Sequence, residues 1–428
     1  MKKACVLGVA VVCLGALAGC GSSSSSSGGG SSSGGGGSSG GASAPGVTAT
    51  QILIGAPQPL SGPFKFYGDF ADAGIQAVFN KVNAEGGIYG RKLKLVTADT
   101  QCTSGALAVS AARQLLDQDH VFELGVTQCP VADTAIDESV LKGTDIADLT
   151  NDGAGWVIPG PAPDPTKGDA YAYFYTPNTA DQGADAVAWA QAHFSPTPHK
   201  WGVIEDDDLY GTNCGYAFAQ FAKANGLPAP IEVETSDTET NQSVNIAKLR
   251  SSGADTLALC TFPGPSGGAL SGALSAGWHP NIMLATEAAA DPTVVFPTLP
   301  KAAYAKTWGV TNPLEPPLGS PAMTAYVNSY KPYYPQFVPN DDEGAPSAEL
   351  IVAYLKRAGK NLTRQSFLNA LYSGPVTIPG SSLTTSIQKG AHTEVVSSED
   401  IVTFPNASTE HVVGVQSPPA NVSLPGLN

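Results

Sequence analysis

Short apolar or β-branched runs alternate with longer stretches of helical period along this chain, and after about residue 200 the whole pattern starts again. The first round predicts strands over Gln51–Ala56, Leu93–Asp99, Val121–Val126 and Asp145–Thr150. Helices are predicted between them over Asp69–Asn83, Ser104–Gln118 and Val131–Leu141. The run Asn83-Ala84-Glu85-Gly86-Gly87 stops the first helix, because glycine accepts a left-handed C-cap without steric cost. The second round predicts strands over Trp201–Asp206, Ile231–Thr235, Asp255–Phe262 and Ile282–Thr286. Its helices fall over Gly215–Asn225, Asn241–Ser252 and Gly267–Gly277. Such alternation means parallel sheets covered by helices on both faces.

After Thr307–Thr311 only helical stretches follow, around Ala322–Tyr333, Ser347–Ala358 and Thr363–Tyr372, too few for a third domain. The chain is therefore expected to cross back and complete its first domain. The fold class is α/β: two Rossmann-like lobes with parallel sheets, joined by a multi-strand hinge. Lobe I is expected from residues 47–176 and 311–380, and lobe II from 177–310 and 381–415, with a tail over 416–428. A body of this length is too long for one typical core.

Ahead of the body stands an export pattern. Lys2 and Lys3 precede the uncharged apolar run Ala4–Ala16, which is too short to anchor in a bilayer but fits a signal's central region. The run ends in Leu17-Ala18-Gly19-Cys20, which resembles the lipobox of bacterial lipoproteins. The resemblance implies cleavage before Cys20 (signal 1–19), a diacylglycerol on its thiol, and anchoring on the extracytoplasmic face of the cell membrane. Gly21–Gly46 is almost entirely glycine and serine. With no apolar surface to bury, it is expected to be a coil about 30 Å end to end, so that residues 20–46 tether the body.

Charge and cysteine count narrow the partners. The chain holds 22 basic against 37 acidic residues, a net charge of −15, and Lys2 and Lys3 leave with the signal. No basic patch is present, which argues against nucleic acid or anionic lipid. Four cysteines remain after the signal and Cys20: Cys102, Cys129, Cys214 and Cys260. In an oxidising compartment they form two disulfides, with three connectivities open. They show no C-x-x-C spacing, and neither a metal site nor a cofactor is expected.

A family resemblance rests on particular residues. Gln51-Ile52-Leu53-Ile54-Gly55-Ala56 leads into Pro59-Leu60-Ser61-Gly62-Pro63 and Tyr67-Gly68, followed by Asn83-Ala84-Glu85-Gly86-Gly87-Ile88-Tyr89-Gly90-Arg91-Lys92-Leu93. Together they resemble the branched-chain amino acid (Leu/Ile/Val) binding proteins, type I periplasmic binding proteins that serve ATP-driven importers. The resemblance implies a monomeric solute-binding protein, not an enzyme, that closes on a small polar ligand such as an amino acid or amide and hands it to an ABC permease. It implies a Cys102–Cys129 bridge, since Asp99-Thr100-Gln101-Cys102 matches the family segment, and leaves Cys214 with Cys260. It also implies a ligand set. Tyr67 would cover the ligand, Thr127 and Gln128 would face its carboxylate or carbonyl, and Thr150 and Asn151 would offer hydroxyl and amide partners. Tyr210 would close over it from the second lobe, and Glu287 would pair its ammonium. Ordinary packing for the tyrosines, a solvated charge for Glu287 and a turn cap for Thr150 and Asn151 are the plainer alternatives. Two departures stand out: Pro130 replaces a serine and removes a donor, and Asp152 replaces a threonine with a charge that repels carboxylates. A sensing receptor of the same fold is an alternative use.

The rival class is a hydrolase. Gly264-Pro265-Ser266-Gly267-Gly268 fits G-x-S-x-G between a predicted strand and helix, where a nucleophile elbow would sit. Of six histidines only His392 and His411 come late enough to act as its base, and no oxyanion segment precedes it. A glycine-permitted turn is the favoured reading. Asp206, Asp207 and Asp208 are expected to form a solvated turn, since adjacent side chains point apart.

Overall fold

The computed structural model describes residues 44–127, 129, 132, 135–149, 178–311, 313–338, 344–381, 398–422 and 424, and the backbone of 384–385. The signal region, Cys20 and the glycine–serine stretch lie outside these residues. Two sheets organise the rest. The first is built from β1 (Gln51–Gln58), β2 (Lys92–Asp99), β3 (Glu123–Gly125) and β4 (Asp148–Leu149), ordered β2-β1-β3-β4 and parallel throughout.

The second sheet contains β5 (Trp201–Asp206), β6 (Ile231–Thr235), β7 (Thr256–Cys260), β8 (Asn281–Leu284) and β9 (Thr307–Thr311). A small hairpin, β10 (Val376–Thr377) and β11 (Thr384–Thr385), stands apart. The chain then adds β12 (Glu399–Asn406) and β13 (Thr409–Gln416), so that the second sheet reads β13-β12-β9-β8-β7-β5-β6. Its first five strands are parallel, while β12 and β13 join antiparallel.

Both sheets begin with the same winding: the second strand lies outside the first, and the third lies on the other side. The strand order therefore reverses between β1 and β3, and again between β5 and β7. In open α/β sheets the crevice beyond the strand C-termini at such a reversal is where ligands bind.

The cores follow the sheets. One cluster joins Ile52, Ile54 and Phe79 to Tyr330, Tyr354 and Phe367, so helices after residue 320 complete the first lobe. Helix Lys65–Ala84 meets helix Gly344–Ala358 at close range, because a side chain on Gly344 would run into the Ala71 backbone. Two further clusters fill the second lobe and draw in Ile401, Val402 and Phe404 from β12. Among the described residues, the cores change between Leu149 and Asn178, between Thr311 and Leu314, and between Ile378 and Glu399.

Several element bounds differ from the sequence reading, two of them for a clear local reason. The helix after β5 starts at Leu209, not Gly215, because Asp208 caps it by accepting the Gly211 N–H at 2.9 Å. The helix after β7 starts at Pro263, whose fixed φ suits the first helical position. The first helix starts at Lys65 with no side-chain cap on Phe64. β3 and β4 are shorter than expected, and residues 114–118 and 137–141 take π-helical turns.

Candidate functional site

The C-terminal ends of β1, β3, β5, β7 and β8 supply the side chains nearest the two reversals. In the first lobe, Asp99 at the end of β2 organises the loop after β1. It accepts the Leu60 N–H at 2.9 Å, the Ser61 hydroxyl at 2.6 Å and the Gln101 N–H at 2.9 Å. Against the pull of partial burial, these donors hold its carboxyl below the ordinary range. The loop delivers Phe64 and then Tyr67, which is only 5% exposed in the first turn of its helix.

At the end of β3 the backbone is strained. Val126 takes φ +63°, a region that β-branched residues seldom enter, and strain of this kind gathers at functional sites. Its N–H donates to the Leu149 carbonyl at 2.8 Å, and its carbonyl accepts from Gln58 Nε2 at 3.4 Å. Thr127 is fully buried and donates its hydroxyl to Asp148 at 3.3 Å, an acid that burial raises to about 7. That hydroxyl is therefore engaged at the β3–β4 junction. Gln128, Thr150 and Asn151, with Pro130 and Asp152, lie outside the described residues.

In the second lobe three adjacent acids have three different fates, which corrects the expectation of a solvated turn. Asp206 is fully buried and accepts the Phe262 N–H at 2.6 Å; burial chiefly, with its acidic neighbours, pushes it up to about 8. Asp208 caps the helix and rises to about 6, again through burial first. Asp207 is exposed. The strand end buries the first acid and the helix start half-buries the third, so the middle one is left exposed.

Tyr210 follows at once and is buried, and its hydroxyl accepts the Glu287 N–H at 3.1 Å. Burial first, then the Glu287 charge, pushes that hydroxyl well above its usual range. Glu287 itself is half-buried at the start of the short helix after β8.

Phe262, just beyond β7, joins these pieces. Its ring stacks on Tyr210 at 5.2 Å and 23° and meets Tyr67 at 5.8 Å and Phe64 at 6.0 Å. The structure thus brings Tyr67 and Tyr210 from opposite lobes onto one ring and links Tyr210 to Glu287. Sequence reasoning missed Phe262 and Phe64. The available signal for Phe262 was its place between a strand end and a proline-started helix.

The two disulfides lie beside these rims. Cys102 is bridged to Cys129, and Cys214 to Cys260, with Cα separations of 5.6 and 5.7 Å. Ser266 is fully buried in the first turn of its helix, its hydroxyl 2.7 Å from that of Thr261 and bonded also to the Thr261 carbonyl at 3.3 Å. It ties a helix to a strand end and is not presented as a nucleophile. Among the described residues no group of acids, histidines and cysteines is arranged to hold a metal, and no helix is long and apolar enough to cross a membrane.

Comparison with known proteins adds the following. A family model for periplasmic binding proteins matches residues 51–396. The Leu/Ile/Val-binding protein BraC3 of Rhizobium johnstonii is 27% identical over 224 residues, covering 51% of this chain and 56% of that protein. Leu/Ile/Val-binding protein homolog 7 of Brucella suis is 24% identical over 249 residues, covering 55% and 58%. The match thus spans little more than half the length of these curated relatives. Among solved structures, a fatty acid ABC transporter substrate-binding protein from Thermomonospora curvata superposes with a TM-score of 0.73 at 18% identity, covering 90% of this chain and 97% of that one. The leucine-binding protein LivK of Thermotoga maritima gives 0.66 at 16% identity, covering 86% and 99%. These likenesses show the two-lobed fold.

Proposed function

The chain belongs to the periplasmic binding protein family, and from that premise we propose that it captures a small solute between its lobes and delivers it to an ABC-type importer. The observation that carries this reading is the meeting of Tyr67 and Phe262, from opposite lobes, at the strand-order reversals of both sheets. Three passages of chain between the cores make a hinge. The bound solute favours the closed form only through contacts that the open form lacks, here those with Tyr210, Phe262 and Glu287. The reading is of a binding protein, not an enzyme: it holds and releases its solute unchanged, and the buried Ser266 supports this.

The lobe boundaries at about 176, 310 and 380 belong to the same proposal. So does lipid anchoring through Cys20 on the extracytoplasmic face, supported by the lipobox-like Leu17-Ala18-Gly19-Cys20. Relatives carry names that range from Leu/Ile/Val to a fatty acid. Fold therefore does not choose the ligand; the rims do. Pro130 and Asp152 argue against an α-amino acid carboxylate held as in the family.

A thermal-shift screen over amino acids, amides, polyols and aromatic compounds, followed by small-angle scattering with each hit, tests the reading. Compaction with an unchanged solute supports it, and turnover of the solute into product overturns it. Labelled palmitate should enter the wild-type chain and not Cys20→Ala.

A further inference from the structure

The rings that meet across the lobes are all aromatic. Phe64 and Tyr67 come from the loop and first helical turn after β1, Tyr210 from the corner after β5, and Phe262 from the corner after β7. They form one continuous stack-and-edge group: Phe64 with Tyr67 at 6.5 Å and 23°, Tyr67 with Phe262 at 5.8 Å and 53°, Phe262 with Tyr210 at 5.2 Å and 23°. Aromatic pairs keep their attraction in offset or tilted arrangements at such separations. A flat ring entering between Tyr67 and Phe262 restores on each side the kind of contact it interrupts. A branched aliphatic group does not.

Acids gather at these strand ends among the described residues: Asp99 beside the first rim, and Asp206, Asp208 and Glu287 at the second. Lys65, at the start of the same helix as Tyr67, is ion-paired with Asp69. Two acceptor atoms at the strand ends are independent of the rings. Gln58 Oε1 closes β1, Asp206 Oδ1 closes β5, both residues are fully buried, and neither oxygen meets a donor among the described residues. Buried acceptors of this kind call for donors, and a cation that brings such donors is also attracted by the aromatic faces.

We propose, on the solute-binding reading above, that the cleft selects an aromatic amine, its ring between Tyr67 and Phe262 and its ammonium N–H groups turned to the acidic strand ends. Tyr67 and Phe262 are then the specificity-determining pair, one from each lobe. Asp206 acts through Phe262 by holding its N–H.

The test is calorimetric titration of the full chain with 2-phenylethylamine, leucine and benzoate, which separate ring from ammonium. Phenylethylamine should bind at least tenfold more tightly than either of the others. Phe262→Leu and Tyr67→Leu should each lose tenfold or more for phenylethylamine while circular dichroism stays native, and Phe262→Tyr should bind within threefold of wild type. If a leucine variant is misfolded, Phe262→Tyr together with the wild-type ligand ranking decides. Tighter binding of leucine overturns the aromatic assignment and leaves the solute-binding reading standing. Benzoate at parity or better overturns the amine. Binding by none of the three overturns this assignment, and the broad solute screen then decides the fate of the parent reading separately.

Discussion

The two lobes solve the same corner in different ways. In each, the first strand leads to a Tyr-Gly pair at the start of the helix that follows it: Tyr67-Gly68 after β1, Tyr210-Gly211 after β5. In each, the glycine is required by close approach, since a side chain on Gly68 would strike the Pro59 carbonyl and one on Gly211 the Asp206 backbone. The routes differ. The second lobe turns quickly, capped by Asp208, with Tyr210 held through its hydroxyl by Glu287. The first lobe takes a longer loop with no cap on its helix, and the neighbouring strand's Asp99 holds that loop through Leu60 and Ser61. One rim is fixed by its own helix, the other by a carboxylate borrowed from next door.

The largest test of that parallel is covalent. Each rim carries a disulfide, closing loops of 27 and 46 residues. Replacing Cys214 and Cys260 by serine should cost about 4 kcal/mol in the chain-entropy model, and replacing Cys102 and Cys129 slightly less. Urea unfolding of both double variants measures the difference; a bridge whose loss costs nothing would show that one rim is held by packing alone. Next come the glycines. Gly68→Ala and Gly211→Ala should each destabilise by about 3 kcal/mol, the upper range for an overpacked site. If Gly68→Ala is tolerated and Gly211→Ala is not, the longer first loop yields where the short corner cannot.

Smallest for each unit of pH is the effect that separates the rims by titration. Asp99 titrates below the ordinary carboxylate range, so its contribution is present at neutral pH and is lost on acidification through its folded value. Asp206 is raised to about 8, so its contribution is complete below the ordinary value of 3.8 and fades as pH rises through about 8. The rims thus respond in opposite directions. Asp206→Asn should flatten the fall in stability between pH 4 and 8, changing the slope by no more than about 1.4 kcal/mol per pH unit. Asp99→Asn should instead leave that window unchanged and weaken the protein at pH 7. A flat wild-type profile from pH 4 to 8 would break the contrast.

Much of this comparison was legible in the residues. Periodicity located nearly every strand of both windings, because parallel strands buried on two faces read as continuous apolar runs. Tyr67 and Tyr210 were legible because a family pattern and a following glycine marked them. Phe262 was not, since a phenylalanine before a proline-started helix resembles any buried aromatic until the topology places β7 beside β5. Asp206 was misread for a related reason: sequence shows three adjacent acids, and only the turn geometry buries the first, exposes the second and makes the third a cap. The C-terminal strands β12 and β13 went unpredicted because β12 pairs antiparallel with β9, a partner about ninety residues earlier in the chain, and β13 joins the sheet only through β12.

That late pairing has a consequence for the order in which the molecule can be completed. Until residues Glu399–Gln416 emerge, β9 presents an unpaired row of backbone donors and acceptors, a template for any other extended chain. A polypeptide cut before Glu399 should therefore self-associate through β9, even with all five parallel strands of that sheet intact. In the finished sheet β12 covers that row, and the hairpin moves the free edge out to β13.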